Sequence, residues 1–289
     1  MCGIAGFWGN GDIETATEIL FHRGPDASGT LALGPVSLGN RRLKVIDLKG
    51  GQQPMSNEDS TVTLVFNGMI FNYRELRKEL EGKHSFKSSS DTEVIVHAYE
   101  EWGEKCLDRF IGMFAIALWD GRELFLARDR MGEKPLYYTT SRGKLRFAFA
   151  SEIKSLLTLV DANPELGEEF GVFETSVGES TLFKGIQVLP PGCYLRYDGR
   201  KAKVSRYWEI PSSDGPYEKE DFYVEKLRWL LEDAVRLRLR SDVPVGVFLS
   251  GGLDSSLIAC LARPQVVFTC RYPYGPPYDA FEHARKVAR

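Results

Sequence analysis

Cys2 stands directly behind the initiator methionine in the opening "MCGIAGFWGN". A free thiol titrates at about 8.5 and an α-amino group at about 7.7–8.0. If Met1 is removed, one residue carries both groups, and the amine can take the thiol proton directly or through a water. That residue is then nucleophile and base together. Its plainer reading is a small buried hydrophobe on a first strand, the common fate of a free cysteine. A second chemical signal lies far downstream in "VPVGVFLSGGLDSSLIACLA". A strand running into Ser250-Gly251-Gly252-Leu253-Asp254-Ser255-Ser256 and then a helix makes a backbone cradle, with glycines for close approach and N–H groups aimed at a phosphate. Ser-Gly-Gly by itself is an ordinary strand-to-helix turn with a serine cap. The whole seven-residue run behind a buried strand is far more specific.

The elements that must position these groups follow two grammars. Up to about residue 208, short β-like runs ("GIAGFWG", "VSLGNRRLKVID", "TVTLVFNG", "MFAIALWD", "ELFLARD", "LYYTT", "LRFAFAS", "CYLRYD") are separated by Gly, Pro, Asn and Asp. This spacing predicts antiparallel sheets. Helical periodicity interrupts them at "NYRELRKELEG" and "SDTEVIVHAYEEWGEKCLDRF", predicting helices packed on the sheets. The polar, Pro/Gly/Ser-rich stretch 209–216 reads as a linker. Beyond it, a long amphipathic helix precedes a strand, helix, strand and further helix, the βαβ order of a parallel sheet. The expected domains are therefore 1–208 and 217–289. The "RLRLR" ending the long helix reads as a solvated face with favourable C-terminal charge.

Bulk composition narrows the function. The 289 residues are 43% hydrophobic and 27% charged with a net charge of -3, as in globular proteins without a broad basic face. Nucleic acid is not expected as a partner. Five widely spaced cysteines with no CxxC pair suggest neither a disulfide framework nor a zinc site of that kind, and point to a reducing compartment. No run approaches the length of a spanning helix and no signal-peptide pattern opens the chain. The expected location is the cytoplasm, with no membrane partner.

In order, "MCGIAGFWG", "HRGPD", "RRLKVIDL", "GGQQPM", "FNGMIFNY", "SSSDTEVIVHAYEEWG", "FIGMFAIALWD", "LARDRMGEKPLYY" and "FASEIKSL" resemble the class II glutamine amidotransferase domain of the glutamine-dependent asparagine synthetases. The resemblance implies an α+β N-terminal-nucleophile hydrolase, an αββα sandwich, that releases ammonia from glutamine through a Cys2 thioester. It makes Asn67 and Gly68 the oxyanion donors. It also places Arg42, Val45, Ile46, Asn67, Gly68, Met69 and Asp91 around the glutamine. Arg42 would hold the α-carboxylate by a two-pronged ion pair and Asp91 the α-ammonium. Each residue has a local reading too: Arg42 as a surface arginine on a strand, Asn67-Gly68 as a hairpin turn, Asp91 as a helix N-cap. Where relatives usually read Asn-Gly-Glu-Ile-Tyr-Asn, this chain reads Asn67-Gly68-Met69-Ile70-Phe71-Asn72. The lost glutamate removes one charge-assisted hydrogen bond to the ammonium, worth about 1.5–3 kcal/mol, or one to two powers of ten in affinity. Glutamine hydrolysis is expected to survive, because nucleophile, guanidinium and oxyanion donors are all present.

The downstream loop is similar to the pyrophosphate-binding loop of the ATP pyrophosphatases, as in the synthetase half of asparagine synthetases. That similarity implies ATP and Mg²⁺ as cofactors. Leu249 would border the adenosine, Ser250, Gly251, Gly252, Ser255 and Ser256 would hold pyrophosphate, Asp254 would coordinate Mg²⁺, and an adenine contact would fall within 268–271. The implied reaction is amidation of aspartate through an adenylate. The family's later Ser-Gly-Glu-Gly-Ser-Asp-Glu segment does not occur in this sequence. The α/β parallel-sheet segment is therefore expected to be incomplete, the chain being either a short form whose site a second copy in a homo-oligomer or a partner chain finishes, or a fragment of a longer protein. The alternative function is a non-catalytic binder of glutamine or nucleotide, or a chain complementing a larger synthetase; a β-lactam-synthetase-like relative would typically lack Cys2.

Overall fold

The period-two patterns fold into two six-stranded antiparallel sheets. In the computed structural model, which describes residues 1–289 except 142, 166–167, 175–177, 213–214, 273 and 276–278, these strands are β1 (Gly3–Gly9), β2 (Ala27–Leu33), β3 (Val36–Arg42), β4 (Met55–Ser56), β5 (Thr63–Ile70), β6 (Gly112–Trp119), β7 (Leu124–Arg128), β8 (Tyr137–Thr140), β9 (Leu145–Ala150), β10 (Ile186–Val188), β11 (Cys193–Tyr197) and β12 (Ala202–Arg206). The first sheet runs β10-β8-β9-β1-β3-β2 and the second β12-β11-β7-β6-β5-β4. Helices of this part are α1 (Ile13–Glu18), α2 (Tyr73–Leu80), α3 (Asp91–Trp102), α4 (Cys106–Arg109), α5 (Ile153–Leu156) and α6 (Glu168–Phe173).

Alternation decides the layers. On β9, Phe147 and Phe149 point between the sheets, while Ala148 and Ala150 point outward to α1 and α5. Ile4 of β1, Val36 and Leu38 of β3, Val65 of β5, and Leu124 and Leu126 of β7 join the same interior. The Phe147 ring stacks on Tyr197 of the opposite sheet at 4.6 Å and 17°. On the far face of the second sheet lies α3, buried from Asp91 through Tyr99 beside α2. The result is an αββα sandwich.

Three local expectations are corrected. The strand predicted through Asp47 stops at Arg42, where the chain turns into a loop held by the Arg42 guanidinium. Asn67-Gly68 is no hairpin turn. Both lie inside β5, opposite Ala115 and Phe114 of β6, because the apolar run on either side outweighs a two-residue turn signal. The cap of α3 is Ser90, whose hydroxyl accepts from the Thr92 N–H at 3.1 Å; Asp91 is the first helical residue.

The backbone divides into two compact units, Met1–Pro211 and Ser212–Arg289. Of the expected linker 209–216, residues 213–214 lie outside those described. The second unit holds α7 (Glu220–Arg238), β13 (Val247–Phe248), α8 (Leu253–Ala262), β14 (Val267–Phe268) and α9 (Phe281–Val287). β13 and β14 pair in parallel, Val247 with Val267 and Phe248 with Phe268, across a small core of Leu249, Ala259 and Ala284. The βαβ order is as expected. The strands are shorter than their apolar runs, since a two-stranded parallel pair has few ladder partners. Among the described residues, no helix is long and apolar enough to cross a membrane.

The aromatic stack across the interior gives a stability prediction. Phe147→Ala removes a fully buried ring and should lower the free energy of unfolding by about 3–5 kcal/mol, read from urea denaturation of the whole chain.

Candidate active site

Register brings the ends of three elements together. Gly3 of β1 pairs with Arg41 of β3, so Cys2 falls beside the chain leaving β3. The Leu43 N–H reaches the Cys2 Sγ at 3.4 Å, and the thiol faces the Leu43 carbonyl at 3.7 Å. From the opposite sheet, Asn67 and Met69 share the Val65 side of β5 by period-two alternation. The N-terminus of α3 supplies Asp91. A cavity of about 130 Å³ is lined by Cys2, Arg42, Val45, Ile46, Asn67, Gly68, Met69 and Asp91 together. All eight sequence-derived residues of this site meet there.

The electrostatics of the cavity are those of buried groups, two of which leave polar atoms without a protein partner. Arg42 Nη2 donates to the carbonyls of Ile46 and Asp47 at 2.8 and 2.7 Å, while Nη1 is buried with no partner. Nη2 is thus held by the chain's own loop, and Nη1 is the nitrogen of a locked guanidinium that no protein group occupies. Burial lowers its pKa, but a guanidinium starts so high that it stays charged. Both polar atoms of the Asn67 side chain are buried and unpartnered. Gly68 is required by packing: a Cβ there would sit 2.1 Å from the Met113 carbonyl oxygen. Asp91 accepts from the Ile70 N–H at 3.0 Å, yet burial pushes its carboxyl up to about 6. Burial also raises the Cys2 thiol, with the Leu43 contact pulling the other way.

Several contributors carried no sequence signal of their own. Arg23 Nε donates to the Cys2 carbonyl at 2.9 Å and its Nη1 pairs with Glu152 at 2.8 Å, fixing the main chain behind the thiol. Arg23 sits in "HRGPD", so the stretch was visible and its role was not. Met1 and Lys134 close one side of the cavity, with Lys134 Nζ 3.4 Å from the Met1 sulfur. Gln53 ties the wall together, accepting from the Phe66 N–H at 2.6 Å and donating to Thr92 Oγ1 at 3.3 Å.

In the second unit, the seven-residue run forms the turn from β13 into α8, with Gly252 at the cap. Ser250 and Ser255 hydroxyls bond each other at 2.8 Å, and Ser256 Oγ donates to the Gly252 carbonyl at 2.7 Å. Gly251 has φ +84°, and a Cβ there would meet the Ala280 carbonyl oxygen at 2.8 Å. Leu249 is buried and Asp254 exposed. The Phe268 carbonyl, in the stretch expected to touch adenine, accepts from the Leu249 N–H at 2.8 Å.

Residues 1–208 match the glutamine amidotransferase domain family, and residues 226–289 match the asparagine synthase family. The chain belongs to the glutamine amidotransferase domain family. It is 39% identical over 280 residues to asparagine synthetase [glutamine-hydrolyzing] 3 of Bacillus subtilis, covering 91% of this chain and 45% of that protein. It is also 35% identical over 260 residues to the amidase chyE of Penicillium rubens, covering 86% of this chain and 38% of that protein. The chain thus spans less than half the length of these relatives. Among solved structures, the glutamine phosphoribosylpyrophosphate amidotransferase of B. subtilis, complexed with ADP and GMP, aligns with a TM-score of 0.55 at 19% identity, covering 96% of this chain and 68% of that one. That likeness is one of fold, two antiparallel sheets with helices packed on them.

For an amidotransferase domain, an asparagine side chain held without partners is a cost borne by the fold. A buried unsatisfied polar group costs about 1–3 kcal/mol. Asn67→Leu is therefore expected to raise the free energy of unfolding by about 1 kcal/mol or more, measured in urea.

Proposed function

We propose that this chain hydrolyses glutamine at Cys2 and, as part of an asparagine synthetase-like protein, delivers the ammonia to an ATP-activated carboxylate, with aspartate as the acceptor. The reading is carried by one observation: a thiol, a locked guanidinium, an unpartnered carboxamide and a desolvated carboxylate line a single cavity. Removal of Met1 frees the Cys2 amine and takes away one wall of that cavity. The raised thiol is neutral at pH 7 and needs a base, which the amine of the same residue supplies. Arg42 Nη1 binds the α-carboxylate and Asp91 the α-ammonium, placing the side-chain carboxamide over Cys2.

The sulfur then adds to the carboxamide carbon and the thiol proton passes to the amine. Asn67 Nδ2 and the Gly68 N–H stabilise the oxyanion. The amine returns its proton to the departing nitrogen, leaving a thioester and ammonia. Water adds to the thioester, giving glutamate and the free thiol. Met69 contributes no charge, so Asp91 alone meets the ammonium from the acidic side.

ATP, when bound, supplies the chemistry that turns a carboxylate into an adenylate. The residues of the second unit are of the types that would hold its pyrophosphate: Gly251 takes a positive φ in the turn, and the Ser250, Ser255 and Ser256 hydroxyls gather at the start of α8. Asp254 is the residue that would hold Mg²⁺, a pattern compatible with one carboxylate plus phosphate oxygens.

Incubation with glutamine should yield glutamate without ATP, and Cys2→Ala should abolish it. Intact Met1 by mass spectrometry in a preparation that still turns over would overturn the amine as base. Asp91 sets the acid limb. Its folded carboxyl titrates at about 6 against about 3.9 when unfolded, so kcat/KM should fall as pH drops through about 6 and the carboxylate protonates. Stability runs the other way: the folded state holds this proton more tightly, so its contribution is present below about 4 and is lost as pH rises through about 6. An acid limb unchanged in Asp91→Asn would remove Asp91 from that role.

A further inference from the structure

Away from the cavity, Glu58, His84, His97 and Glu100 each place one ligand-type atom within 4.8 Å of the other three. His97 and Glu100 stand three residues apart on α3, hence on one face; Glu58 and His84 come from the loops beside it. His97 Nδ1 lies 2.8 Å from Glu100 Oε2 and 3.7 Å from Glu58 Oε2, and His84 Nδ1 lies 3.7 Å from Glu100 Oε2. The two imidazoles stack at 4.6 Å and 28°. We propose that this cluster is a zinc-class metal site, two imidazoles and two carboxylates around one borderline divalent ion, that pins the loops to α3.

Three features distinguish it from a chance gathering of acids. First, each carboxylate is already oriented through its other oxygen: Glu58 Oε1 accepts from the Ser85 N–H, and Glu100 Oε1 from Asn57 Nδ2, both at 2.7 Å. Their Oε2 atoms are left facing the imidazoles. Second, each ring turns its outer nitrogen toward a further carboxylate, His97 Nε2 to Glu93 at 4.0 Å and His84 Nε2 to Glu101 at 3.4 Å. Neither Nε2 has a hydrogen-bond partner. A metal on Nδ1 fixes the tautomer with the proton on Nε2, on the side of those carboxylates, which are the groups that would take it up as outer support once the rings move onto the ion. Third, the His97 side chain is 1% exposed and that of His84 12%, against 36% for Glu58 and 22% for Glu100, so the site has a closed floor and opens mainly at its carboxylates. Two imidazole nitrogens and two carboxylate oxygens suit Zn²⁺ or Co²⁺ and not Mg²⁺, which prefers oxygen alone. Closing onto an ion requires side-chain shifts of about an ångström, since ligand bonds are about 2.0–2.2 Å. The ion is structural: His97 lies six residues along α3 from Asp91, so fixing the helix steadies the carboxylate at its start.

The test is a Co²⁺ titration of the EDTA-treated full chain without nucleotide, followed by visible absorption, with a parallel Zn²⁺ melting experiment. The expected result is one equivalent of Co²⁺ with tetrahedral d–d bands and no thiolate charge-transfer band, retained in Cys2→Ala. Zn²⁺ should raise the melting temperature and EDTA reverse it. His84→Ala and the surface change Glu58→Gln should each weaken the metal by at least roughly tenfold and abolish the metal-dependent melting shift. Absence of the tetrahedral bands, a thiolate band, or unaltered affinity in both variants would overturn the proposal. So would a lowered melting temperature in His84→Ala with no metal-dependent shift in the parent, the behaviour of a purely hydrogen-bonded cluster.

Discussion

Everything in the first unit is organised around a place where the sandwich declines to finish its core. Between the sheets, Ile4, Leu38, Val65, Phe147 and Phe149 pack as an ordinary apolar interior. At one end that packing gives way to Asn67, Arg42 and Asp91, the first two with buried atoms that no protein group satisfies and the third a carboxyl desolvated by burial. Burial without compensation is expensive in any fold. A sandwich tolerates it because the strands that carry the site are held by ladders: β1 between β3 and β9, and β5 along its length by β6, with β4 pairing to Thr63 and Leu64. The polar end is rigid before any ligand arrives, and a ligand bearing a carboxylate, an ammonium and a carboxamide would supply the missing partners.

That balance also explains how the site is positioned. The Arg42 guanidinium is spent in part on its own loop, through Ile46 and Asp47, so the turn after β3 and the orientation of the remaining Nη1 are one structural fact. Arg23 does the same behind the nucleophile, linking the Cys2 carbonyl to Glu152 beyond the end of β9. Met69 lines the cavity beside Asp91. Its thioether adds packing and no field, leaving Asp91 desolvated.

The second unit obeys a different logic. Its parallel pair and three helices share a core of few side chains, and the strand-to-helix turn depends on Gly251 adopting a conformation closed to other residues. The Ser250 and Ser255 hydroxyls satisfy one another, so the loop is internally bonded and keeps its shape from local contacts.

Much of this was legible from sequence. Eight of the twelve strands of the sandwich, the helices at 73–80 and 91–102 and the βαβ order follow from periodicity, which is local; β2, β4, β10 and β12 lie outside the predicted runs. The eight cavity residues were reached through ordered motifs that resemble a known family. What sequence misjudged was local chemistry under competition: Asn67-Gly68 reads as a turn but is pulled into β5 by its apolar flanks, and Ser90, not Asp91, caps α3. Arg23, Lys134, Gln53 and the histidine pair at 84 and 97 had no readable role, because each acts through a partner distant in the chain. Residue types and periodicity thus determined which chemistry the chain carries and on which elements. Only tertiary packing decided which polar groups lose their water without gaining a partner, because desolvation depends on what closes over a side chain from elsewhere in the fold.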